Sequence, residues 1–274
     1  MCSSSNISGA DEQASSSQNK IQECNGVNCP GKIAVVGIGP GSLLDMSPRA
    51  RESIENADVI VGYNTYVTLV SELLTNKKII GTGMMQEIER CQSAVDQALA
   101  GKNVAVISSG DPGIYGMAGL ILELVMKYDS DIRPEVNVIP GISAVGASAA
   151  ILGAPLMHDF AVISLSDLLT PWDVIRKRVE MAAEADFVIA LYNPKSKRRT
   201  SQIREVREIV LKHRKTSTPV GIVHHATREG ENMAISTLNE FTKEFIDMFS
   251  LVIIGNSQTY VQDNRMITPR GYKL

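Results

Sequence analysis

The sequence predicts an α/β protein of two domains, with a parallel five-stranded sheet in the N-terminal domain and a mixed sheet in the C-terminal domain. Three observations carry that expectation. From Gly31 onward, short β-branched runs alternate with helix-period segments, the rhythm of parallel strands joined by crossover helices. In the second half, strand-like runs at 220–223 and 233–237 are separated only by a turn around Gly230, which calls for an antiparallel pair. Between the halves, Gly153-Ala154-Pro155-Leu156 sets Gly and Pro close together and reads as a hinge. The expected organisation is a disordered tail over 1–30, an N-terminal domain over 31–154 and a C-terminal domain over 155–274.

The tail is rich in Ser, Asn, Gln and Gly and shows no apolar periodicity. Its Cys24 and Cys29 could supply two metal ligands, but a structural zinc or iron–sulfur site needs about four and no matching pair follows, so no metal is expected. Strands are then expected at 33–36, 59–61, 78–80, 104–107 and 136–139, each ending in Gly, Ser, Asn or Pro. The first helix is announced by Ser47 as N-cap, Pro48 at the first helical position, and Ile54 and Ala57 at helical spacing. A second runs over about 87–100 and is closed by Gly101-Lys102. Beyond the hinge, strands are expected at 160–164, 187–191, 220–223, 233–237 and 251–254, with helices near 172–183 and 200–213.

The chain has 274 residues, 44% hydrophobic and 21% charged, which suffices for two modest cores. No apolar run approaches the roughly 18 residues of a membrane span, and no apolar leader segment is seen, so a cytoplasmic protein is expected. The balance of 27 Lys and Arg against 30 Asp and Glu gives no global basic face, and nucleic acid is not an expected partner.

Chemistry should gather at the carboxyl ends of the strands, where loops of an open sheet face a common crevice. The first such loop, Gly37-Ile38-Gly39-Pro40-Gly41, suggests a dinucleotide site but departs from it. Ser42 stands where the third glycine is needed, Pro40 removes a backbone N–H, and Gly62-Tyr63-Asn64 offers no acid at the end of the second strand. A nicotinamide oxidoreductase is thereby disfavoured. Four further strand ends carry Ser108-Ser109-Gly110-Asp111-Pro112-Gly113, Ile139-Pro140-Gly141-Ile142-Ser143-Ala144, Leu191-Tyr192-Asn193-Pro194 and His224-His225-Ala226-Thr227. Glycines let backbone approach a ligand and prolines fix the turn, so a small ligand held by backbone groups fits these loops. Asp111 could accept a ribose hydroxyl or face a cationic centre, or it could close an Asx-turn; its residue type allows both.

In this order and spacing the loops resemble those of the tetrapyrrole (precorrin) methyltransferases, over about 31–272. Further stretches, among them Val61-Gly62-Tyr63-Asn64-Thr65-Tyr66, Arg228-Glu229-Gly230-Glu231 and Thr268-Pro269-Arg270-Gly271-Tyr272, are similar to the branch that contracts the macrocycle in cobalamin biosynthesis. The resemblance implies S-adenosylmethionine as methyl donor, bound in a cleft between the domains, with a tetrapyrrole as substrate and a homodimer as the assembly. Contacts to the donor are implied for Pro40, for Ser109, Gly110, Asp111 and Ile114, for Ser143 and Ala144, for Asn193 and for Ala226. The sirohaem branch carries an acid after the second strand and a lysine after the third, where this chain has Tyr63 and Gly83 or Met84, so that branch is disfavoured.

Ring contraction asks for proton movement, and Tyr63, Tyr66 and His158 are the chosen catalytic candidates, with Glu87 and His225 beside them. For the substrate, Gly39 and Gly41 are expected to admit the macrocycle to the backbone, and Arg198 and Arg270 to meet its carboxylates. Met84, Met85 and Met117 could line an apolar trough.

Overall fold

The computed structural model describes residues 29–273. The tail expected over 1–30, with the metal reading of Cys24, thus lies almost wholly outside the described residues. The N-terminal sheet holds β1 (Lys32–Gly37), β2 (Val59–Tyr63), β3 (Lys78–Thr82), β4 (Val104–Ser108) and β5 (Glu135–Ile139). All its pairings are parallel, in the order β3-β2-β4-β1-β5.

Burial on both faces explains why the inner strands β1, β2 and β4 read as continuous apolar runs, whereas the edge strands β3 and β5 are partly exposed. Ile33 and Val35 of β1 pack under α3 (Glu87–Leu99) and α4 (Ala118–Val125), whereas Val36 packs toward α1 (Pro48–Glu55) and α2 (Asn64–Thr68). Helix α1 begins as its sequence announces, with the Ser47 hydroxyl accepting from the Ala50 N–H at 3.1 Å and Pro48 at its first position.

The C-terminal sheet runs β10-β9-β11-β8-β7, formed by β7 (Phe160–Ser164), β8 (Val188–Tyr192), β9 (Pro219–His224), β10 (Asn232–Thr237) and β11 (Ser250–Ile254). Only β7 and β8 are parallel; β8 with β11, β11 with β9 and β9 with β10 are antiparallel, so the sheet is mixed. Helices α6 (Trp172–Glu184) and α7 (Gln202–Leu211) cover one face. The other face is covered by α5 (Ala144–Leu152), whose Val145, Ala149 and Leu152 pack on Val223, Leu251 and Ile253. Although α5 precedes the boundary expected at 154, its core contacts belong to the C-terminal sheet. Gly221 permits that approach, because a Cβ there would lie 2.4 Å from Leu152 Cδ1.

The segment read as a hinge is itself paired. Gly153–Ala154 forms β6, which runs parallel to β13 (Arg265–Ile267), and β13 in turn pairs with β12 (Tyr260–Gln262). The β12–β13 turn uses Asp263 and Asn264, with φ of 49° and 56°, the left-handed pair that matches strand twist in a two-residue hairpin.

Candidate active site

The carboxyl ends of β1, β4 and β5 meet through their glycines. A Cβ on Gly141 would lie 2.2 Å from the Gly110 carbonyl oxygen, and one on Gly37 would lie 2.7 Å from the same oxygen. Gly39 and Gly110 exchange backbone hydrogen bonds of 3.2 and 2.7 Å. Asp111 adds a second tie: Oδ1 accepts from the Gly113 N–H at 2.8 Å and Oδ2 from the Gly141 N–H at 3.1 Å. The first of these bonds is the Asx-turn, and the second joins the β4 and β5 loops.

The C-terminal sheet closes over this platform from the opposite side. Tyr115 donates its hydroxyl to the Val162 carbonyl at 3.1 Å and accepts from the Ser164 N–H at 3.0 Å, extending the edge of β7. Tyr192 accepts from the Val145 N–H at 3.0 Å, at the start of α5. Arg228, beyond β9, donates from Nε to the Pro40 carbonyl at 2.5 Å and from Nη2 to the Ser109 hydroxyl at 2.6 Å. Tyr115, Asn193, His225 and Thr227 all stand at left-handed φ between 50° and 58° on these loops. Such backbone costs about 1–3 kcal/mol per residue and persists where surrounding contacts fix it.

Between the two sides lies a cavity of about 180 Å³. Of the residues expected to contact a donor, Pro40, Ser109, Gly110, Asp111 and Ile114 line it from the N-terminal loops. Ala144, Asn193 and Ala226 line it from the other side. Ser143 does not; its hydroxyl caps α5, accepting from the Gly146 N–H at 3.3 Å. Ser148 also faces this cavity, fully buried and with no hydrogen-bond partner for its hydroxyl. A second, larger cavity of about 930 Å³ adjoins the first, and Tyr115 and Asn193 line both. Its walls include Met85, Met117, Leu120, Leu168 and Leu169, so two of the three methionines read as a trough are there.

The catalytic candidates separate. Tyr66 and His225 line the smaller cavity and Glu87 the larger. Burial raises the Tyr66 phenol above its usual range, with nearby Arg228 partly opposing that rise, so it is protonated at neutral pH and can donate a hydrogen bond. Tyr63 lines neither cavity: its ring stands edge-on to Tyr66 at 5.1 Å, beneath the buried Arg90 guanidinium at 5.8 Å. His158 is exposed on the approach to β7 and lines neither cavity; its Nδ1 accepts from the Asp159 N–H.

The substrate candidates are likewise displaced from the two cavities. Gly39 is taken up by its bridge to Gly110, and a Cβ on Gly41 would lie 2.2 Å from Arg228 Cγ, so both serve protein contacts. Arg198 and Arg270 are exposed and line neither cavity. Sequence reasoning assigned no role to Ser148, Tyr115 or Arg228. For Arg228 the signal was a position just past a strand-end loop.

A family model for tetrapyrrole (corrin/porphyrin) methylases matches residues 32–242, the span that carries the whole N-terminal sheet and every strand of the C-terminal sheet except β11. The chain belongs to this family. A cobalt-factor III methyltransferase of Priestia megaterium is 54% identical over 245 residues, covering 89% of this methylase but 45% of that protein. This chain thus spans less than half of that relative's length. A probable cobalt-factor III C(17)-methyltransferase of Salmonella typhimurium is 54% identical over 242 residues, covering 88% of this chain and 100% of its own length. A precorrin-3B C(17)-methyltransferase of Sinorhizobium is 39% identical, covering 88% of this chain and 97% of that one. Among solved structures, the methyltransferase CobJ matches with a TM-score of 0.83 at 34% identity, covering 87% of this chain and 100% of that one.

Proposed function

We propose that this protein methylates C17 of cobalt-factor III or precorrin-3B from S-adenosylmethionine, with contraction of the ring, in cobalamin biosynthesis. The observation that carries this reading is the pair of adjoining cavities at the junction of the two sheets, in a chain 54% identical to a full-length relative of that name. The cobalt-loaded tetrapyrrole is the favoured substrate, because the relatives at 54% carry the cobalt-factor name and the one at 39% carries the metal-free name.

The smaller cavity suits the donor. The buried, unpartnered Ser148 hydroxyl needs a hydrogen-bond partner, which a polar ligand would provide, and burying such a group alone costs about 1–3 kcal/mol. Ser109, Ala144 and Ala226, from three strand-end loops, line the same space. The donor supplies an electrophilic methyl group on a sulfonium, transferred in line to a carbon nucleophile. What the protein contributes is alignment, and holding two reactants in a productive geometry can supply roughly 7–11 kcal/mol of the barrier.

The larger cavity, with its apolar floor of Met117 and Leu120, suits the face of a macrocycle. Tyr115 and Asn193, common to both spaces, are the residues between donor and acceptor. Each is held from behind, Asn193 by its Nδ2 donating to the Ser164 hydroxyl at 3.0 Å and by Arg199 donating to its carbonyl at 2.8 Å. For the proton movements of contraction we assign Glu87, which lines the larger cavity, and Tyr66, which faces the adjoining smaller one, in preference to Tyr63 and His158, which face neither.

We further infer a cytoplasmic homodimer, a reading supported by the resemblance; no helix among the described residues is long and apolar enough to cross a membrane. Light scattering checks the dimer. Incubation with the donor and either tetrapyrrole checks the activity: a methylated, contracted product by mass and absorption is expected. Absence of methyl gain with both substrates would refute the assignment.

A further inference from the structure

Among the described residues, Arg228 has no acidic partner. Its guanidinium is half-buried between the two sheets, and burial lowers its proton affinity from the usual range. Its hydrogen bonds go to an uncharged carbonyl and an uncharged hydroxyl, and its guanidinium carbon lies 6.0 Å from the Tyr66 ring centroid. Among the described residues it forms no ion pair, although 12 such pairs are present, all involving other residues. Asp111, the carboxylate lining the same cavity, has both oxygens engaged by backbone N–H groups. Arg228 Nη1 has no partner among the described residues, and the side chain lines the smaller cavity.

A partly desolvated cation without a counter-charge is costly, and an arginine fork is shaped for a carboxylate. The two bonds to Pro40 and Ser109 fix the fork, and the close fit of its stem on Gly41 fixes the approach. We propose that Arg228 is the carboxylate anchor of this site, its Nη1 edge binding a carboxylate carried by a ligand. This rests on the function proposed above, which offers two sources of that group: the amino-acid end of the methyl donor and the side chains of the tetrapyrrole.

Calorimetry with S-adenosylhomocysteine and with its decarboxylated analogue, on the wild type, Arg228→Met and Arg228→Lys, separates these sources from a purely structural role. If the donor carboxylate is bound, Arg228→Met weakens S-adenosylhomocysteine about tenfold or more and leaves the decarboxylated analogue unchanged. If the substrate carboxylate is bound, both donor forms keep their affinity while KM for the tetrapyrrole rises about tenfold with kcat retained. Equal weakening of both donor forms, or no change in either with KM unaltered, would overturn the proposal and leave Arg228 a staple between the sheets. Should Arg228→Met melt too early to assay, Arg228→Lys keeps the charge without the fork and carries the same comparison. A wild type that fails to bind S-adenosylhomocysteine would instead refute the donor reading itself.

Discussion

Both oxygens of Asp111 are held by backbone N–H groups of the loops that form the cavity floor, so removing the carboxylate releases Gly113 and Gly141 together. Hydrogen bonds to a charged group contribute about 1.5–3 kcal/mol when well formed, and Asp111 is only half-buried, so the lower end applies. Asp111→Ala is expected to lower the melting temperature and the affinity for S-adenosylhomocysteine together. A loss of affinity at unchanged melting temperature would show direct ligand contact instead. Cys91, under the N-terminal sheet, gives a second residue-level expectation. Burial pushes its thiol up to about 11, so it should resist alkylation near pH 8 until denaturant is added. Because the folded state holds that proton more tightly, the associated stability is present at neutral pH and declines as pH rises through about 9 to 11. Peptide mapping after alkylation reads the first effect and melts across pH read the second. Residue type alone left Asp111 open between ligand and turn, since either use needs only an acceptor, whereas the bonds of Arg228 run to residues 188 and 119 positions away and the buried, unpartnered state of Ser148 is set by tertiary packing.

The loops owe their form to pairs of elements rather than to any one segment. Gly141→Ala sets a Cβ 2.2 Å from the Gly110 carbonyl, with backbone on both sides, so neither partner can turn away. Gly221→Ala sets one 2.4 Å from Leu152 Cδ1, the tip of a side chain that can change rotamer. Overpacking costs about 1–3 kcal/mol, and the backbone case should reach or exceed the upper end while the side-chain case stays at the lower. Chemical denaturation of the two variants checks the order; a larger cost at Gly221 would contradict it. All ten strands of the two sheets were legible, because each carries a run of three to five residues rich in β-branched or other apolar side chains, bounded by turn residues. The β12–β13 hairpin was not expected, its strands being three residues each and its turn an Asp-Asn pair in place of the commoner glycine. Helix α5 was missed because Ala144–Leu152 is almost wholly apolar, Ser148 being its one polar residue, and so has no polar face to give a period.

At the scale of the molecule, the two adjoining cavities sit where two sheets with separate cores come together. Arg228 and Tyr115 each reach from one unit to the backbone or hydroxyl of the other, and both line the smaller cavity. The resemblance in the strand-end loops foretold this junction and eight of its lining residues. Arg198 and Arg270, expected to meet the substrate, and His158, a catalytic candidate, line neither cavity, because the placement of exposed charged or polar groups depends on which way the surface turns. Cobalt-factor III incubated with the protein and a donor bearing an isotopically labelled methyl group tests the central claim most directly. A contracted product with the label on C17 by NMR is expected. Label on another carbon, or an unlabelled macrocycle, would contradict it.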